Sequence, residues 1–211
     1  MFITFEGGEG AGKTIQARAA AEYLRSRGRR VAETREPGAT AVGRRIRAIL
    51  LDPEVSDLDF RAELLLYMAD RAQHVHAVIR PALDAGRIVL CDRYLDATLA
   101  YQGYARGLDV DLIHDLHRRV LEDLQPDATL LLDLPPEIGL ERAWSAVSDG
   151  GRDRSETRFE AETLAFHRRV RDGYLDLARR FPDRFRVIDA QPDEARVREA
   201  VQWALNEMLD L

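Results

Sequence analysis

Of the 31 lysine and arginine residues in this chain one alone is a lysine, and it is Lys13. It stands in Gly7-Gly8-Glu9-Gly10-Ala11-Gly12-Lys13-Thr14, which fits the phosphate-binding pattern G-x-x-x-x-G-K-[ST]. A composition that favours arginine keeps an ammonium where a compact point charge on a flexible stem must reach the β- and γ-phosphates inside a tight loop. Glycines let the backbone wrap an anion, N–H groups converge on it, and the following helix adds the partial positive charge of its N-terminus. Thr14 supplies a hydroxyl for Mg²⁺. A chance glycine-rich turn is the bland alternative, but the flanks agree with the pattern: Phe2-Ile3-Thr4-Phe5-Glu6 is β-prone and Ile15 to Arg27 has helical periodicity. The loop implies a nucleoside triphosphate ligand.

Three further sets carry chemistry. Asp92-Arg93-Tyr94 follows a predicted strand; a carboxylate there can hold Mg²⁺ or its water, and the adjacent arginine can fork onto a phosphate. Thr34-Arg35-Glu36-Pro37-Gly38 makes a turn, open to a cis X-Pro bond, that brings Arg35 or Glu36 towards the same cleft, with Glu36 and Pro37 as acceptor-site candidates. Tyr67 and Arg71 share a helix face at i, i+4, where one ring can stack on a nucleobase and the guanidinium can bond an exocyclic oxygen. Taken singly, these sets are also compatible with a surface ion pair, a plain turn and a core aromatic.

The elements that must position them alternate. Strands are predicted at Phe2–Phe5, Arg30–Thr34, Ile88–Cys91, Ala128–Leu134 and Arg184–Ile188. Helices are predicted at Ile15–Arg27, Ala41–Leu51, Leu58–Ala85, Val110–Leu124, Pro136–Ala146, Phe159–Arg180 and Asp193–Leu209. This alternation predicts a three-layer α/β/α fold with a five-stranded parallel sheet covered by helices, in one domain spanning residues 1–211. Ser148–Ser155 is polar and glycine-bearing, and its arginines make residues 145–158 a candidate phosphate-closing lid.

Bulk properties exclude several classes. At 45% hydrophobic and 32% charged the composition is that of a globular protein, and a net charge of −6 argues against a general nucleic-acid surface. Cys91 is the lone cysteine, which excludes an internal disulfide and suits a reducing cytoplasm; its apolar run makes it a core thiol. No leader or membrane span is expected. His74, His76, His114, His117 and His167 read as helix-surface or packing residues.

Together these residues resemble the bacterial thymidylate kinases, over nearly the whole chain. The likeness is carried by Phe5-Glu6-Gly7 entering the loop, Thr34-Arg35-Glu36-Pro37-Gly38, Tyr67 with Arg71, Asp92-Arg93-Tyr94, Ala100-Tyr101-Gln102-Gly103, Leu132-Asp133-Leu134 with Pro136-Glu137, and Arg158-Phe159-Glu160. The resemblance implies the phosphate-loop kinase fold and transfer of the ATP γ-phosphoryl to dTMP, giving dTDP, with Mg²⁺, in a cytoplasmic homodimer. It assigns Lys13 to the β/γ-phosphates, Thr14 to the metal, Glu9 to the acceptor sugar and metal, and Arg93 to the acceptor phosphate. Tyr67 would stack on thymine and Arg71 bond its O4; Thr98 and Gln102 would face the base or sugar, and Tyr101 would crowd the 2′ position. Glu160 matches an acid near the reacting phosphates, Gln191 lies in a turn against adenine, and Arg142 opens the lid on the ATP side.

The family's eukaryotic members often carry an arginine in the phosphate loop, where this chain has Gly10 and Ala11. The resemblance is to the bacterial subtype, whose catalytic arginine comes from the lid: here Arg152, Arg154 or Arg158. Two alternatives remain open, another nucleoside or nucleotide kinase and a phosphate-loop ATP-binding switch. A guanine switch is excluded, because its N-K-x-D reader needs an asparagine followed by a lysine and the only asparagine is Asn206.

Overall fold

The computed structural model describes residues 1–151 and 153–209. Five strands form one parallel sheet: β1 Phe2–Glu6, β2 Val31–Arg35, β3 Ile88–Asp92, β4 Ala128–Asp133 and β5 Phe185–Asp189, in the order β2-β3-β1-β4-β5. β1 is buried along its whole length because it pairs on both sides, Ile3 facing Leu90 on β3 and Ala128 on β4. Successive side chains of β1 enter opposite cores, as the period of two requires. Phe2 joins the cluster of Val89, Cys91 and Leu131, whereas Ile3 and Phe5 join Leu90, Leu130 and Leu132. The order reverses direction beside β1, so the crevice for a ligand opens at the carboxyl end of that strand.

The helices are α1 Lys13–Ser26, α2 Ala41–Leu51, α3 Phe60–His74, α4 Arg80–Asp84, α5 Leu95–Thr98, α6 Val110–Leu121, α7 Pro136–Ser148, α8 Leu164–Arg180 and α9 Glu194–Leu209. The strands fall within a residue or so of their predicted bounds, and α2 falls on them. Two departures have physical causes. The helix predicted over Leu58–Ala85 is divided: α3 runs into a wide π turn at Val75–Ile79, where Arg80 N–H bonds back to Val75 O, and α4 begins with Pro81 in its first turn. Proline has no N–H to give the ladder, and the wide turn absorbs that loss. Leu95–Ala105, for which no element was predicted, is α5 continued by a π-helical Leu99–Ala105. Nearly all of it is buried, so it shows no polar face and no 3.6-residue period. It packs tightly on α8, where a Cβ at Gly173 would come within 2.7 Å of Tyr104.

Candidate active site

The phosphate loop joins β1 to α1, and Gly12 precedes the helix at φ 83°, a left-handed conformation that suits glycine. The loop is pressed against the first turns of α7: a Cβ at Gly10 would sit 2.0 Å from Gly139 O, and one at Gly139 would sit 2.3 Å from Glu9 O. Two glycines thus allow two backbones to touch and set the loop's height over the sheet. Lys13 is buried and donates to Gly8 O at 2.7 Å, closing the loop on itself. Burial, then the nearby Arg93 charge, bring its ammonium down to about 8, against the pull of Glu9, Asp92 and Glu6. Thr14 Oγ1 donates to Asp92 Oδ2, so the hydroxyl and carboxylate predicted to serve a metal meet at the end of β3.

Arg93 is held more firmly than the tripeptide suggests. Its backbone lies at φ 67°, uncommon for a residue with a side chain, while its N–H bonds to Phe5 O. Its guanidinium donates to Gly7 O at 3.1 Å and to Glu9 Oε1 at 2.8 Å, and lies 5.0 Å from the Tyr101 ring centroid. Tyr101 OH also donates to Glu9 Oε1, at 2.8 Å. Behind this group sits Glu6, fully buried, accepting from Tyr94 N–H at 2.7 Å and Tyr174 O–H at 2.9 Å. Burial and then the Asp96 carboxylate push the Glu6 carboxyl up from its ordinary value. The sequence reading gave Glu6 no role; its signal was a carboxylate in a strand otherwise apolar enough to be core.

Two cavities open from this point. The larger, about 770 Å³, runs over the phosphate loop and is lined by Lys13, Thr14, Asp92, Arg142 and residues 190 and 192–194. The smaller, about 80 Å³, is lined by Pro37, Tyr67, Arg71, Thr98, Tyr101, Gln102 and Phe159. Glu9, Glu36, Arg47 and Arg93 line both. Arg71 is buried and donates to Glu36 Oε2 at 2.8 Å, Tyr94 O at 2.9 Å and Thr98 Oγ1 at 2.9 Å. The Glu36–Pro37 bond is cis. Gln102 donates its Nε2 to buried Glu63 at 2.7 Å.

Of the remaining predicted residues that the structure describes, Arg142 lines the larger cavity and Gln191, Arg154, Arg158 and Glu160 line neither. Arg142 donates to Ala190 O and Gln191 O, tying α7 to the turn after β5, while the Gln191 side chain is exposed and its Nε2 bonds Asp189. Arg154 is exposed in a short 3₁₀ turn, Arg154–Glu156, and lines neither cavity. Arg158 faces away from the cleft, to Glu63 Oε2 at 2.6 Å and Leu50 O. Glu160 is buried outside both cavity walls. Arg152 lies outside the described residues.

Two residues had gone unrecognised as site residues. Arg47 on α2 makes a bidentate pair with Glu156 at 2.8 and 2.6 Å and reaches Pro37 O at 3.1 Å. His74, expected only to pack, is fully buried and bridges Glu36 Oε1 at 2.9 Å and Thr34 Oγ1 at 2.5 Å. Neither belongs to a motif; each was one arginine or histidine among several on a helix.

A metal fits the cleft by the chemistry of its donors. Among the described residues no group of three or more His, Cys, Asp or Glu side chains gathers to hold an ion. Thr14 and Asp92 offer hard oxygens at the cleft, with Glu9 at its inner end. Mg²⁺ in phosphate sites is held this way, by one or two carboxylates completed by waters and substrate oxygens.

Fold and cleft define a phosphate-loop nucleotide kinase: a large groove over the phosphate loop meets a smaller second pocket at a junction that holds Arg47 and Arg93. Comparison with known proteins narrows the class. The family model for thymidylate kinase matches residues 5–201. A thymidylate kinase of Desulfosudis oleivorans is 52% identical over 211 residues, covering 100% of this chain and 99% of the relative. That of Solidesulfovibrio magneticus is 53% identical over 209 residues, covering 99% of this chain and 100% of the relative. The crystal structure of thymidylate kinase from Ehrlichia chaffeensis superposes with a TM-score of 0.76 at 36% identity, covering 98% of both chains. The chain belongs to the thymidylate kinase family. Among the described residues no helix is long and apolar enough to cross a membrane.

Proposed function

We propose that this chain transfers the γ-phosphoryl group of ATP to the 5′-phosphate of dTMP, yielding ADP and dTDP. The observation that carries the reading is the junction of the two cavities. Arg47 and Arg93 line both, with Glu9 and Glu36 beside them, so a nucleotide in each would present its phosphates to the same two cations. The acceptor is a phosphate monoester already ionised at neutral pH, so no base is needed. The enzyme must align two polyanions in line and offset their repulsion.

In this reading Gly7–Thr14 cradles the ATP phosphates, Lys13 neutralises the β and γ groups, and Arg142 and Gln191 border the adenine. Arg93 and Arg47 receive the acceptor phosphate, Tyr67 and Arg71 take the base, and Thr98, Gln102 and Tyr101 complete its surroundings. Thr14 and Asp92, with Glu9 as the further acid, would hold Mg²⁺, which when bound supplies charge neutralisation to the phosphate oxygens; Glu160, outside both cavity walls, is not placed for that role. The lid over residues 145–158 closes on the phosphates and excludes water, bringing Arg152 or Arg154 to the developing charge. Such an arginine is worth ~10³–10⁵ in rate.

A homodimer suits exposed Ile49, Phe60, Leu65, Leu112 and Val120 on α2, α3 and α6, which pack side by side. Light scattering should give twice the chain mass. A cytoplasmic setting accords with Cys91, a buried free thiol. The function is tested by ADP release with Mg-ATP against thymidine, dTMP, dUMP, UMP, CMP, AMP and GMP. Turnover fastest with dTMP is expected; turnover with thymidine alone would make the chain a nucleoside kinase.

A further inference from the structure

Glu63 on α3 is fully buried, does not line the acceptor pocket, and bonds Gln102, which does. Its oxygens meet donors only. Oε2 accepts from Arg158 at 2.6 Å and Arg106 Nη2 at 3.3 Å; Oε1 accepts from Gln102 Nε2 at 2.7 Å and Arg106 Nε at 3.4 Å. A carboxylate flanked by two guanidinium groups can only accept, so the amide of Gln102 must turn its NH₂ to Glu63. Its Oε1 is then the amide atom left for the pocket that Gln102 lines.

A second polar group lining that pocket is Arg71. Three of its five N–H groups are taken by Glu36, Tyr94 O and Thr98, and Nη1 leans on Met68 Sδ at 3.7 Å, which leaves one Nη1 donor. Arg71 and Gln102 thus offer the pocket one donor and one acceptor. A carbonyl next to a ring N–H, the imide edge of thymine or uracil, complements both. Cytosine presents an amine and a bare ring nitrogen, and so mismatches both.

We propose that Glu63 is a positioning residue that sets the acceptor base class: by locking the Gln102 amide, it makes the pocket select an imide edge over an amino-pyrimidine edge. This rests on the dTMP kinase reading above. Glu63→Gln tests it, because the new amide must keep its oxygen on charged Arg158 and turn its NH₂ to Gln102. Gln102 then flips, and its own NH₂ enters the pocket.

The experiment compares kcat/KM for dTMP, dUMP and dCMP in wild type and Glu63→Gln. The dTMP-to-dCMP ratio should fall by about tenfold or more, the scale of one exchanged buried hydrogen bond, while the dTMP-to-dUMP ratio stays within about twofold. General loosening of the fold would not separate the two ratios. A folded variant with an unchanged dTMP-to-dCMP ratio overturns the proposal. A wild type that does not phosphorylate dTMP at all overturns instead the functional reading beneath it. Should the variant not fold, a crystal structure of the wild type with dTMP decides. The Gln102 amide is expected to bridge Glu63 and the thymine N3, and a broken Gln102–Glu63 contact refutes the locking.

Discussion

Replacing Arg71 with methionine removes the guanidinium while keeping most of the side chain's volume. Three hydrogen bonds vanish, including the 2.8 Å pair with Glu36, where both side chains are nearly inaccessible to solvent. Removing one partner of such a buried pair costs about 3–5 kcal/mol, because the remaining charge is stranded. Glu36 is not wholly abandoned here, since His74 Nδ1 lies 2.9 Å from its other oxygen. The low end, about 3 kcal/mol, is therefore expected, which for a chain of this size lowers Tm by about 6–12 °C. The kinetic effect is separate. Loss of one charged donor to the acceptor base should raise KM for dTMP about 10–100-fold. Arg71 lines only the smaller cavity, so KM for ATP should move little. Thermal unfolding and steady-state kinetics with each substrate varied in turn measure both. A change confined to ATP, or an unaltered KM for dTMP, would refute the placement of the base.

Lys13→Ala should abolish turnover while the protein stays folded, since among the described residues the ammonium's hydrogen bond goes to the loop's own Gly8 O; retained activity removes the phosphate-loop assignment. Gly139→Ala should lower kcat, because its Cβ would meet Glu9 O at 2.3 Å and push the loop off its seat. A variant with wild-type kinetics would mean that this backbone contact does not set the loop. Stability should also fall in acid through His117. This side chain is buried beside the Tyr94 ring with Nε2 on Leu124 O, and burial, then the Arg71 charge, hold it down at about 4. Between its unfolded value and about 4 the unfolded chain binds the extra proton. Stability is therefore full above the unfolded value and is lost as pH falls, by about 3 kcal/mol in all. Urea titrations from pH 7 to 4.5 should show a steeper decline in wild type than in His117→Leu, and equal slopes would refute the assignment.

The elements that reveal themselves locally were legible in the order of residues. A glycine loop between a β-prone run and a helical one identifies itself within eight consecutive residues. The inner strands β1, β3 and β4 announce themselves as short apolar runs because both faces of the sheet are covered there. Tyr67, Arg71, Asp92, Arg93 and Gln102 were recognisable by motif, and the cavities gather all of them except the Asp92 tip of β3 around the smaller pocket. The buried helix at Leu95–Ala105 was not legible, because a helix with no solvent face carries no periodic signature.

What the sequence by itself determined was the chemistry on offer: one ammonium in a phosphate loop, a strand-end acid and arginine, and an aromatic–arginine pair on a helix. Tertiary structure alone decided which groups support them. Glu6 meets Tyr174 across 168 positions, Arg47 meets Glu156 across 109, and Glu63 meets Arg158 across 95. Periodicity speaks only for neighbours a few residues apart. Contacts of that range arise when the sheet brings separate helices to one edge, where a buried carboxylate must find whichever donors the packing delivers.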